Sequence, residues 1–455
     1  MKVPVTMATN MYATDDITDQ AYRAAWFIGP DGAVPNASIL LHGGRLIDIR
    51  SPPQPNAIDL GDVAVIPGLV NAHTHLEFSL LPKPIPMAGR FTDWIRSVVN
   101  YRREHPNLVT EAIRAGIAES LRCGTTLIGD IATVGCSMDD YLNEGFSGVI
   151  FQELLGLTDE RVASQWKIAQ QFMAAEFQTS DSERTPNPFP SKARGEGTGE
   201  ENLAGSSLIT YPSPPIPRLG LSPHAPYSVH PELFREAVNL AQRNSSPLAM
   251  HLAETESELE LLAEGTGEFR EMLEEFGIWR EGLFGNGKRP MQYLEALAKS
   301  PAPLIVHGNY LDDAELRFLA ARPHMTLVYC PRTHAAFGHR DHPWRRLREL
   351  GGSVAIGTDS RASNPDLSVF AELQYLAEQH PDLSHLELLT LATTNGRRAL
   401  TGCMNDEDQS ANFTVIRLSN QHFRDPARDL LAPENHVVGT MISGRWQFAD
   451  KSLFP

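Results

Sequence analysis

Cysteine is scarce in this 455-residue chain. The four residues Cys123, Cys136, Cys330 and Cys403 form no CxxC pair and give no disulfide framework. Positive charge is short too: 39 Lys and Arg stand against 56 Asp and Glu, a formal net charge of −17. Nucleic acid and anionic membrane both reward clustered cations, so neither is an expected partner, and a small-molecule substrate is. No uninterrupted apolar run approaches the roughly 18 residues a membrane helix needs. The opening "MKVPVTMATNMYATDDITDQ" has one Lys and no apolar core segment. It does not read as a signal peptide, and a cytoplasmic protein is expected. A homo-oligomer is compatible with all of this.

From Ala64 onward short apolar runs alternate with amphipathic stretches of helix length. The runs are 67–75, 125–131, 148–156, 218–226, 248–254, 303–311, 325–333 and 353–360, and helix candidates include 160–177, 231–243 and 312–322. Eight βα units over about 300 residues predict an α/β fold, a (β/α)8 TIM barrel. The ends differ. "SILLHGGRLIDIR" predicts a hairpin around Gly43-Gly44, and 411–448 is again strand-rich. Two β segments flanking a barrel predict a small β-sandwich domain built from both termini. The expected division is 1–66, 67–400 and 401–455, with 178–217, rich in Pro, Gly and Ser, as a flexible insertion. That insertion reads as a solvated loop, with a lid as the alternative.

"NAHTHLEFS" (71–79) raises the question of function. With 16 histidines in the chain, one His-x-His pair decides nothing by itself. On a strand, however, residues two apart share a side, so His73 and His75 can converge on one point. Strand five closes with His251, strand six with His307 and strand eight with Asp359. In a barrel all these ends meet at one rim. Imidazoles and a carboxylate that leave a place for water make a catalytic zinc or iron site. No Lys ends strand four to bridge two metals, so one divalent ion is expected.

Further residues join the rim. Glu254 either caps the helix that begins in "ETESELELLAE" or carries protons without being a ligand. His224 in "SPHAPYS" is a substrate contact or rim packing. After strand seven, Arg332 and His334, with His339 and His342 close by, either form a solvated loop or meet a polar part of the substrate. Arg361 after strand eight is a further candidate for a substrate carboxylate.

The segments "PGLVNAHTHLEFS", "SPHAPYS", "MHLAETESE", "VHGNYL", "YCPRTHAAFGH", "AIGTDSRASN" and "ATTNGRRAL" occur in this order. Together they resemble the amidohydrolase superfamily, in its branch of cytosine, adenosine-type and S-adenosylhomocysteine deaminases and chlorohydrolases. The resemblance implies metal binding by His73, His75, His251 and Asp359, orientation of the bound water by His307, and proton transfer by Glu254. "HTHLEFS" followed by "GRFTDWIRSVV" (89–99) is most similar to the 6-amino-6-deoxyfutalosine deaminases of menaquinone biosynthesis. Thr333 and His334 follow "CPR" where related nucleoside deaminases usually carry Ser-Asn, which bears on the exact substrate. The implied reaction is attack of a metal-activated hydroxide on an aminopurine nucleoside, with Asp359 as base and Glu254 as acid. Dechlorination or amide hydrolysis at the same metal is the alternative chemistry, and a scaffold without activity the alternative class.

Overall fold

The computed structural model describes residues 19–29, 32–87, 89–133, 136, 138–142, 146–178, 217–402, 410–419 and 424–454. The insertion read as a solvated loop or a lid, 178–217, lies outside the described residues except at its two ends, and Cys403 lies outside them too.

Eight strands form one parallel sheet in chain order: β6 (Leu69–Thr74), β7 (Thr125–Ala132), β8 (Gly148–Leu154), β9 (Arg218–Pro223), β10 (Leu248–Leu252), β11 (Pro303–His307), β12 (Thr326–Tyr329) and β13 (Ser353–Ile356). They match the eight predicted runs, and all but β7, which runs one residue past its prediction, are shorter. Most of the excess in the other seven runs is the rim loop that follows the strand. Six of the eight strands are buried along their whole length, as expected where helices cover one face and a packed barrel interior the other. The first and last strands meet. Thr358 N and Asp359 N both donate to His73 O at 3.1 Å. Gly357 permits this approach, since a Cβ there would lie 2.9 Å from His73 Cβ.

The predicted helices appear as Asp159–Gln178, Pro231–Asn244 and Asp313–Ala320. Pro231–Asn244 shows why. His230 caps its N-terminus by accepting from Glu232 N, Pro231 occupies the first turn, and Leu233, Phe234, Ala237, Val238 and Leu240 make one buried face.

The termini build a second, mixed sheet from β1 (Gln20–Gly29), β2 (Gly32–His42), β3 (Arg45–Arg50), β4 (Ile58–Asp59), β5 (Val63–Pro67), β14 (Phe413–Arg417), β15 (His436–Ile442) and β16 (Arg445–Ala449). Its main order is β16-β15-β14-β5-β1-β2-β3. The Gly43-Gly44 turn joins β2 to β3 as predicted, with φ of +55° and +75°. In a flat sheet β16 and β1 would stand roughly 19 Å apart, four strand spacings. Yet Trp446 and Tyr22 are in edge contact at 5.6 Å, and the indole N–H donates to the Tyr22 hydroxyl at 3.1 Å. The sheet curls over on itself into a sandwich, and its core includes Phe27, Ile39, Val65, Phe413 and Met441. Gly44, at the β2–β3 turn, lies against Ser443, at the β15–β16 turn, so the two edges also meet.

Candidate active site

Alternation fixes which side chains enter the barrel mouth. On β8, Val149 and Phe151 belong to the inner cluster with Ala249 of β10. Two residues further along each strand stand Glu153 and His251, so both project inward at the rim. Gly220 of β9 lies under the Phe151 ring, which gives His224 the same direction.

His73, His75 and Asp359 offer ligand atoms within 4.8 Å of one another, and so do His73, His251 and His307. His75 Nε2 and His251 Nε2 are 3.4 Å apart, and Asp359 Oδ1 lies 3.6 and 3.7 Å from Nε2 of His73 and His75. All five residues are buried. His251 Nδ1 donates to His224 O at 3.0 Å, which leaves Nε2 with a free lone pair, the arrangement of a metal-binding imidazole. Burial above all, then neighbouring histidines, holds His75, His251 and His307 well below the ordinary imidazole value. They are neutral, the form that coordinates metal. Both ring nitrogens of His73, and Nδ1 of His75, are buried without a hydrogen-bond partner among the described residues. Such atoms are costly unless something ligates them. The donor set fits a divalent cation.

Asp359 is held from its other side. Ser363 donates to Oδ2, Thr333 shares a 3.0 Å bond with the Ser363 hydroxyl, and Thr74 donates to Asp359 O at 2.8 Å.

Glu254 does not cap the following helix, Glu256–Glu264. Thr255 does so, accepting from Glu258 N, while the buried Glu258 carboxylate accepts from Ala253 N and Glu254 N at 3.0 and 2.8 Å. The Glu254 side chain instead stands 3.5 Å from His307 Nε2. Burial, reinforced by the charges of Asp359 and Glu258, pushes its carboxyl well above the usual carboxylate range.

His224 packs its ring 4.7 Å from that of His251 and pairs Nδ1 with Ser228 Oγ at 2.7 Å. Burial lowers it to about 3. Arg332 does not join this group. It binds Glu372 through Nε at 2.7 Å and Asp366 through Nη2 at 2.6 Å. Arg361 is likewise directed to Leu81 O and Glu119. His334 and His339, with rings 5.4 Å apart, each keep a buried Nε2 without a partner among the described residues, and so does the indole nitrogen of Trp94.

Sequence reasoning missed a buried charged cluster beside the metal group. Arg102 Nη2 lies 2.6 Å from Glu77 Oε1 and 3.3 Å from Glu153 Oε2, and Glu153 Oε1 is 3.9 Å from His224 Nε2. A signal existed: Glu153 ends its strand as His251 does.

The amidohydrolase family model matches residues 64–447, nearly the whole chain. This protein belongs to the amidohydrolase family. Among its relatives, the aminodeoxyfutalosine deaminase of Deinococcus radiodurans is 28% identical over 399 residues, covering 82% of each chain. The 5-methylthioadenosine/S-adenosylhomocysteine deaminase of Nitratidesulfovibrio vulgaris is 26% identical over 460 aligned positions, 95% of this chain and 90% of the other. In fold, the chain is similar to an adenosine deaminase from Xanthomonas campestris with bound zinc. The TM-score is 0.73 at 20% identity, covering 95% of this chain and 94% of that one. Family membership and the deaminases among its sequence relatives make this amidohydrolase a hydrolytic deaminase. Among its described residues no helix is long and apolar enough to cross a membrane.

Proposed function

We propose that the enzyme removes the 6-amino group of an adenine-type nucleoside carrying an extended 5′ substituent, 6-amino-6-deoxyfutalosine above all. Its metal is a single divalent ion, zinc ahead of iron, with His73, His75, His251 and Asp359 as ligands. One observation carries this reading: a cluster of buried imidazoles with the Asp359 side chain stands beside a separate buried acid, Glu254, 3.5 Å from His307.

A divalent ion in such a cluster lowers the pKa of water from about 16 to about 7 and so supplies hydroxide near neutral pH. Asp359 takes the proton of the attacking water as its oxygen adds to C6 of the purine. Glu254, kept protonated by burial, donates to the adjacent ring nitrogen and neutralises the charge that develops there. His307, facing Glu254, orients the water. The proton held by Asp359 passes to the amino group, the C–N bond breaks and ammonia leaves, and the C6 hydroxyl proton returns to Glu254 as the product carbonyl forms. His224 borders the purine. The unpaired Nε2 atoms of His334 and His339 and the Trp94 indole offer polar contacts for the far end of the substrate. Arg332 and Arg361 are engaged elsewhere and have no part in this. The cytoplasmic setting belongs to the same proposal and is supported by the free state of Cys123, Cys136 and Cys330.

The relative in Nitratidesulfovibrio vulgaris favours a second reading with the same chemistry, S-adenosylhomocysteine or 5-methylthioadenosine as substrate. Ammonia release from 6-amino-6-deoxyfutalosine, S-adenosylhomocysteine, 5-methylthioadenosine, adenosine, cytosine and guanine separates them by kcat/KM. The 5′-extended nucleosides should lead, with weak or no turnover of the free bases. A preference for cytosine or guanine would overturn the nucleoside assignment. A preference for S-adenosylhomocysteine would keep the reaction and discard the menaquinone intermediate.

A further inference from the structure

Strand β11 alternates like its neighbours. Leu304 and Val306 belong to the barrel's inner cluster, whereas Ile305 packs in the cluster that contains the helix residues Leu316 and Leu319. Continued alternation would put His307 on Ile305's side, away from the metal group. The backbone prevents this. His307 has φ +67° and Gly308 φ +62°, and the imidazole turns into the mouth, grouped with His73 and His251. A non-glycine residue in the left-handed region persists only where its surroundings hold it there.

Besides the local bond from Gly308 N to Val306 O at 3.1 Å, two bonds tie this turn to its surroundings. Gly308 N donates to Leu252 O of β10 at 3.0 Å. The His307 carbonyl accepts from His342 Nε2 at 2.7 Å. His342 has one tautomer available, because its Nδ1 accepts from Trp344 N at 3.0 Å and the proton must sit on Nε2. Its ring is buried and stacked on Tyr329, with centroids 3.9 Å apart and planes at 26°.

We propose that His342 is a positioning residue for the deamination: its Nε2–H grips the His307 carbonyl and so keeps the left-handed backbone that aims the His307 imidazole at the reacting water. This rests on the reading of His307 given above. His342 acts through His307 alone and takes no part in the chemistry itself.

The test uses His342→Phe, His342→Gln, His307→Ala and the double variant His307→Ala/His342→Phe. Phe keeps the stack on Tyr329 and removes both polar contacts. Gln restores one donor and one acceptor. His342→Phe should lose kcat by about 10–100-fold, the usual cost of an outer-shell partner, with KM and metal content little changed. Its crystal structure should show residue 307 relaxed to extended φ. His342→Gln should recover most of the rate. In the His307→Ala background, His342→Phe should cost less than about twofold more, since coupled residues are not additive. The proposal is overturned if the two losses multiply, if Gln is as impaired as Phe, or if the Phe variant keeps full kcat or the left-handed φ. Wild-type turnover in the same assay reports separately on the deaminase reading.

Discussion

Two buried polar clusters sit one rim loop apart in this barrel, and they are satisfied in opposite ways. Around Arg332 the guanidinium meets Glu372 and Asp366, its backbone N–H meets Glu372, and the Asn364 amide donates to the Glu372 carboxylate, so every charged group is paired and only Asn364 Oδ1 is left without a partner among the described residues of this cluster. Around His73, both ring nitrogens and the Nδ1 of His75 lack a hydrogen-bond partner among the described residues, and Asp359 Oδ1 comes no nearer to His73 Nε2 than 3.6 Å. A buried polar atom left unpaired costs about 1–3 kcal/mol. The first cluster is architecture that ties the short helix Pro331–Ala336, after β12, to the helix Val369–Gln379. The second is incomplete as protein, and a cation would complete it.

Mutations at the incomplete cluster should act on the reaction, and those at the complete one on stability. The largest effect is expected from His251→Ala, which should abolish ammonia release and sharply lower metal content by elemental analysis. Near-normal turnover without stoichiometric metal would break the distinction. Glu254→Gln should keep normal metal and lose about 10²–10⁴ in kcat, the worth of general acid–base help. A parallel loss of metal would make Glu254 a ligand.

Arg332→Met strands the fully buried Glu372 carboxylate. It should destabilise the fold by about 3 kcal/mol in denaturant titration, the low end for breaking a buried pair. The kcat/KM of the folded fraction should stay within about threefold. A selective loss on 6-amino-6-deoxyfutalosine at unchanged stability would instead make Arg332 a substrate contact.

The smallest effect concerns His339, which burial lowers to about 4. Unfolded, it takes up a proton near pH 6.5. Stability is therefore undiminished above pH 6.5 and falls as the pH drops toward 4, because the unfolded chain binds the proton first. His339→Gln should flatten that fall by up to one proton, seen as a shallower dependence of Tm on pH. An unchanged slope would remove His339 from the account.

These contrasts also mark what the chain discloses before it folds. The rule that barrel strands end at one rim brings His73, His75, His251 and Asp359 together, and strand parity from the inward Ala249 aims His251, while an irregularity of β6 between Asn71 and Thr74 resets the parity at His73 and His75. The same rule would have found Glu153, had strand three been read as strand five was. His307 is different. Parity alone turns it outward, and only the left-handed backbone, with the His342 contact, turns it in. The Arg332–Glu372 bond is illegible for a complementary reason: the two residues lie 40 apart, and no local pattern announces that pair. The curl of the terminal sheet likewise depends on Trp446 finding Tyr22 across 424 residues.

The central claim is that the unsatisfied histidine–aspartate cluster holds the ion on which deamination depends. Metal content and ammonia release from 6-amino-6-deoxyfutalosine, measured on the same samples through chelation and zinc readdition, test it most directly. The account predicts one divalent ion per chain, with activity rising in proportion to occupancy and returning when the ion does. Full turnover from metal-free, folded protein would contradict it.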